Sequence, residues 1–225
     1  MMIIAIWEVI LLKTEETTFI KPSEHVLVVG ANGTGKTVLA KAYLAGYKNV
    51  AVLDSKGTFQ FEPFQLRDKD YIIVTDINML YTNTKYNKIV YRPDIYQNNQ
   101  EYYERFFEWA YKRGNTIVLI DEAMHICDSM KIGFWYKSIL TRGRELMVAA
   151  WSCTQRPVGV SNFLLTESKH WFIFRLNAPD DRQKLYKASG NQTFLTSPHN
   201  HDFLYRNADN EGVIKSKLNL RGVKL

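Results

Sequence analysis

An α/β fold with a mainly parallel central sheet flanked by helices is predicted by three features of this sequence. Short, β-branched apolar runs alternate with stretches of helical periodicity along the chain. One such run, His25–Val29, passes through a glycine-rich turn directly into a helical stretch, Val38–Leu44. Another, Thr116–Ile120, ends in two adjacent acids, Asp121 and Glu122. The 225 residues suit one unit: a strand region over 1–24, a core over 25–181, and an appendage over 182–225.

The remaining elements follow in order. Ile3–Leu12 reads as a strand of the core; it is too short to span a bilayer and has neither the basic start nor the cleavage site of a signal peptide. Asn49–Leu53 is a second strand, closed by the polar turn Asp54–Gly57. Tyr71–Val74 and Lys88–Tyr91 are further short strands, the latter ended by Arg92-Pro93. Over Asn99–Lys112, Tyr102, Tyr103, Phe106, Phe107, Trp109 and Ala110 recur at helical spacing, which predicts a core-facing helix with Gly114 as its C-cap. Gly133–Leu140 is a helix, and Leu146–Trp151 and Trp171–Phe174 are strands. Asp180–Ala188 is again helical. Phe203–Arg206 and Val213–Lys217, joined by the turn Asn207–Gly212, form a short C-terminal β-hairpin.

Composition narrows the class. An apolar content of 46% supplies a core, and a net charge of +6 with a pI near 9.1 suits a polyanionic partner. No run is long enough to cross a membrane, so a soluble protein is expected. Cys127 and Cys153 form no C-x-x-C and are expected to be buried thiols in a reducing compartment. His125 with Cys127 has no second pair to complete a zinc site, and His199-Asn200-His201 reads as a polar loop.

Gly30-Ala31-Asn32-Gly33-Thr34-Gly35-Lys36-Thr37 fits G-x-x-x-x-G-K-[ST], the Walker A phosphate loop, between a strand and a helix as that motif requires. Its glycines let successive N–H groups point at phosphate oxygens, and the helix N-terminus adds partial positive charge. Gly30 to Val38 is the expected nucleotide-binding run. Lys36 is placed for the β- and γ-phosphates, and the Thr37 hydroxyl for Mg²⁺. The acids after Ile120 form a Walker B pattern. Asp121 is the candidate Mg²⁺ ligand and Glu122 the candidate base for an attacking water. A glutamate in that position favours hydrolysis over transfer to a small acceptor. Gln155, beyond the next strand, is suited to sensing the γ-phosphate or the water. Arg142 and Arg144, in the turn Thr141–Glu145, are candidates for a cation reaching a neighbouring subunit's site. The ligands so implied are ATP and Mg²⁺.

Taken together, the ordered series resembles the FtsK–HerA superfamily of hexameric DNA-pumping ATPases. The matching elements are Gly30–Thr37, Leu53–Gly57, Ile120–Ala123, Arg142-Gly143-Arg144, Thr154-Gln155-Arg156-Pro157 and Phe174–Asp181, spanning about Val26 to Asp181. The resemblance implies a RecA-like P-loop core. It carries catalytic roles to Lys36, Thr37, Asp121, Glu122 and Gln155, with Arg144, directly after Gly143, matching the finger position better than Arg142. The bare core is similar to the genome-packaging ATPases of icosahedral viruses with an internal membrane. That implies a ring, a hexamer in this superfamily, which drives double-stranded DNA inward at a capsid vertex. Capsid or internal-membrane proteins are then partners, and the location is the virion and the host cytoplasm. Lys131 and Lys137 are candidate DNA contacts. The alternatives are a phage assembly and export ATPase of the same superfamily, a small-molecule P-loop kinase, or a non-hydrolysing NTP-binding scaffold. Against the kinase, the later arginines, Arg182, Arg206 and Arg221, are too scattered to form a lid.

Overall fold

The computed structural model describes residues 19–62, 71–199, 201–210 and 212–218. Ile3–Leu12 lies outside the described residues. Strands β1 (Val26–Val29), β2 (Val50–Leu53), β3 (Tyr71–Val74), β4 (Lys88–Tyr91), β5 (Thr116–Ile120), β6 (Val148–Thr154), β7 (His170–Ile173), β8 (Asp202–Asn207) and β9 (Val213–Lys217) join one sheet in the order β3-β4-β2-β5-β6-β1-β7-β8-β9. Every pairing from β3 across to β7 is parallel; β7–β8 and β8–β9 are antiparallel. The C-terminal hairpin thus extends the central sheet.

The helices are α1 (Lys36–Gly46), α2 (Met79–Thr82), α3 (Gln100–Arg113), α4 (Phe134–Arg142), α5 (Phe163–Thr166) and α6 (Pro179–Ser189). Both faces of the sheet are covered, which is why the parallel strands read as unbroken apolar runs. Leu27, Val29 and Leu53 lie in one buried cluster with Phe106, Phe107, Tyr136 and Leu185 of α3, α4 and α6. Val26, Val28 and Val52 face the other way, into a cluster with Leu39 and Tyr43 of α1. The aromatic residues of α3 are core, as their spacing predicts: Phe106 and Phe107 are fully buried, and Phe107 stacks on Tyr136 with ring centroids 4.6 Å apart. The Asn99 side chain caps this helix by accepting from the Glu101 N–H, and Gly114 ends it at φ 66°.

The boundaries that differ most from the sequence reading are those of β6 and α4. The strand expected at Leu146–Trp151 runs from Val148 to Thr154 instead, because Gly143–Leu146 forms a 3-10 turn and Met147 takes a left-handed conformation, φ 57°. The helix expected to end at Leu140 continues to Arg142, so Arg142 sits in the last turn of α4 and not on a loop.

Candidate nucleotide site

The carboxyl ends of β1, β2, β5, β6 and β7 meet at one edge of the sheet, the edge where open α/β sheets bind ligands. The phosphate loop leaves β1 clamped between its two neighbours. The Gly30 N–H donates to the Thr154 carbonyl at the end of β6, and the Ala31 N–H donates to the Arg175 carbonyl beyond β7. A Cβ on Gly30 would lie 2.6 Å from that of Phe174, so the clamp requires glycine. Gly35 enters α1 at φ 106°, a conformation that favours glycine.

Inside the loop, Thr34 Oγ1 donates to the Ala31 carbonyl at 2.8 Å and Lys36 Nζ to the same carbonyl at 3.0 Å. Lys36 is buried, and burial lowers its proton affinity below that of an ordinary lysine; Glu122 and Asp121 pull the other way, and Lys56 adds to the lowering. Thr37 Oγ1 donates to Asp121 Oδ1 at 2.8 Å. A hydroxyl and a carboxylate in contact beside a phosphate loop are hard oxygen donors of the kind Mg²⁺ takes when it keeps several waters and binds substrate phosphates, so these residues fit that ion.

β5 lies two strands from β1, with β6 between them. At strand spacing the backbones of β1 and β5 lie about 10 Å apart. Thr37 closes that distance to Asp121 directly, and Glu122 is held from β6. Gln155 Nε2 donates to Glu122 Oε2 at 2.8 Å, and the Gln155 N–H to Oε1 at 3.3 Å. Glu122 is buried, and its remaining partner is Lys56 Nζ, 3.1 Å from Oε2. A cleft of about 300 Å³ is lined by Lys36, Thr37, Lys56, Asp121 and His201.

The structure therefore brings together Gly30 through Val38, Asp121, Glu122 and Gln155. It does not bring Arg142 or Arg144 to them. Both lie before β6, at the amino edge, and β6 is seven residues long, about 20 Å of extended chain. Both are exposed, and among the described residues no carboxylate pairs with either. Lys131 and Lys137 are exposed, Lys137 lying 4.3 Å from the Phe163 ring centre. Cys127 and Cys153 are buried free thiols, and no cluster able to hold a metal through His, Cys, Asp and Glu occurs among the described residues.

Two lining residues escaped the sequence reading. Lys56 stands in the turn after β2, where a charged residue at a carboxyl strand end is the available signal. His201 belongs to a segment read only as a polar loop; its Nδ1 lies 3.2 Å from the Thr34 carbonyl oxygen, and its own carbonyl accepts from the Leu218 N–H. Nothing local in the sequence announces a contact across 167 residues.

Comparison with known proteins agrees with this geometry. The chain is 27% identical over 164 residues to the DNA packaging ATPase P9 of Enterobacteria phage PRD1, covering 71% of this chain and 67% of that one. Its fold matches the genome packaging NTPase B204 of Sulfolobus turreted icosahedral virus 2, solved with AMPPCP, at a TM-score of 0.70 and 15% identity, over 88% of this chain and 99% of that chain. It also matches the pCW3 conjugation coupling protein TcpA at a TM-score of 0.54 and 13% identity, over 87% of this chain and 60% of that chain. The AAA domain model matches residues 20–150, from the approach to the phosphate loop through the acid pair and into β6. With that span, more than half its length, built around a clamped phosphate loop facing an Asp-Glu pair, the chain belongs to the AAA domain family.

Proposed function

We propose that this protein hydrolyses ATP to translocate double-stranded DNA, packaging a viral genome into a preformed capsid. The observation that carries the reading is the convergence of Lys36, Thr37, Asp121, Glu122 and Gln155 on one sheet edge, in a chain whose relative P9 is a DNA packaging ATPase. The loop amides and Lys36 bind the phosphates. Thr37 and Asp121 would hold Mg²⁺, which would supply neutralisation of phosphate charge. Glu122 orients and deprotonates the attacking water, and Gln155 fixes the Glu122 carboxylate.

The placement of Arg142 and Arg144 supports a ring. Neither spans the length of β6 to its own site, so either one would complete a site only on a neighbouring copy. A hexamer is the expected closure. Such a ring grips DNA through phosphates, which makes the grip independent of sequence and sensitive to salt. It works in the host cytoplasm and at the capsid vertex, against capsid or internal-membrane proteins.

The test is steady-state ATP hydrolysis with and without long double-stranded DNA, beside Lys36→Ala and Glu122→Gln, with the oligomeric state measured in the same samples. Stimulation by DNA that weakens with salt and vanishes in both variants is the expected result. Turnover indifferent to DNA in an assembled ring would overturn the reading.

A further inference from the structure

The turn that carries Lys56 is built as a rigid platform. Asp54, 1% exposed, accepts from the Thr58 and Phe59 N–H groups at 3.1 and 3.0 Å and from Arg92 Nε at 2.8 Å. The Arg92 guanidinium also donates to the Phe59 carbonyl at 2.7 Å. On its other side the turn meets the segment after the acid pair: Ser55 Oγ lies 3.3 Å from His125 Nδ1, and the Ser55 carbonyl accepts from Asn98. This scaffold aims one flexible cation into the cleft. The Lys56 side chain is 31% exposed where the Glu122 carboxylate it touches is 2% exposed.

We infer that Lys56 is a second phosphate-reading lysine, which exchanges its ion pair with Glu122 for the γ-phosphate when a triphosphate enters. The inference rests on the proposed function, since it takes the nucleotide to be ATP. Three observations carry it. Lys56 lines the same cleft as Lys36, Thr37 and Asp121. Lys36 and Lys56 are two cations facing that one cleft, so a polyphosphate seated between them relieves their mutual repulsion. Glu122 also accepts both Gln155 hydrogen bonds, which hold the carboxylate in place when Lys56 leaves. Lys56 thus ties the freedom of Glu122 to the presence of the phosphate to be cleaved. A diphosphate, lacking that group, leaves the pair closed.

The experiment compares equilibrium binding of AMPPCP and ADP, with Mg²⁺, to the full chain and to Lys56→Met, Lys56→Arg, Glu122→Gln and the Lys56→Met/Glu122→Gln pair. Lys56→Met should weaken AMPPCP by about tenfold, the worth of one charge-assisted hydrogen bond, and leave ADP within about twofold. Lys56→Arg should recover most of the loss. Glu122→Gln, which sets Lys56 free in advance, should tighten AMPPCP several-fold over ADP, and that gain should disappear in the double variant. ADP binding confirms that each variant keeps its phosphate loop. Equal losses for AMPPCP and ADP, or a Glu122→Gln gain that survives without Lys56, overturns the inference. Hydrolysis by the same samples separates the two levels. DNA-stimulated turnover with an unchanged AMPPCP to ADP ratio in Lys56→Met sinks the lysine exchange alone. A parent chain that neither prefers AMPPCP nor hydrolyses ATP sinks the function, and this inference with it.

Discussion

The two edges of the central sheet differ in which charged groups are left without a partner. At the carboxyl edge nearly every charged group already has a partner: Asp121 with Thr37, Glu122 with Gln155 and Lys56, Asp54 with Arg92. At the amino edge Arg142 and Arg144 stand exposed with no carboxylate partner among the described residues, while the groups nearest the strands are paired, as Glu24 is with Lys169 and His170, or buried and neutral, as His25 is. The difference teaches where each edge keeps its charge available. The carboxyl edge is organised in advance around an anion, and preorganisation is what makes a site effective at the moment of reaction. On the proposed function, Arg142 and Arg144 are the amino-edge cations that serve a neighbouring copy.

The strongest way to break this contrast is to remove the arginines. Arg144→Ala should cost about 10³-fold or more in DNA-stimulated turnover, with Arg142→Ala costing less. Mixing Arg144→Ala with Glu122→Gln protomers should restore part of the activity, because a ring then contains intact sites made from two damaged copies; turnover assays across mixing ratios check this. Glu122→Gln alone should lower turnover by about 10²- to 10⁴-fold while ATP binding persists, as a binding titration would show.

Smaller effects sharpen the contrast. His25 accepts from the Ala150 N–H at 2.9 Å, and burial lowers its pKa to about 4. The unfolded chain therefore takes up a proton near pH 6.5 that the folded chain refuses. Stability from this group is present above pH 6.5 and lost as pH falls towards 4, by up to about 3 kcal/mol. Denaturant unfolding at stepped pH should show that loss, and a shallower one in His25→Gln. The smallest effect is expected at Tyr136, whose hydroxyl lies 2.7 Å from Ser152 Oγ and ties α4 to β6. Tyr136→Phe should cost about 1–2 kcal/mol in thermal unfolding.

Much of this was legible in the sequence, for local reasons. The phosphate loop, the acid pair and Gln155 each follow directly on an apolar strand, so reading the strand also locates its end at the carboxyl edge. The α3 aromatics were legible because their spacing is that of a helix face. The C-terminal hairpin was legible from its two short strands and polar turn. What remained hidden depends on neighbours far along the chain. The start of β6 moved to Val148 because the 3-10 turn over Gly143–Leu146 and the left-handed Met147 come first, held there by the Asn115 N–H on the Leu146 carbonyl. Lys56 gains meaning only once β2 is seen beside β5, bringing it to Glu122. His201 gains its place only when β8 adds to β7. The resemblance to viral packaging ATPases, drawn from the order of the motifs, is matched by the similarity to P9.

The buried side chain of Leu218 lies 2.7 Å from where a Cβ on Gly35 would sit. On the ribosome, then, the phosphate loop emerges early and its last wall late. The loop's own strand must also wait for both flanking partners, β6 and β7. Contacts of such sequence separation form slowly. A nascent chain thus carries a phosphate loop long before it has a finished pocket, and the order of synthesis delays nucleotide capture until the fold around it is complete.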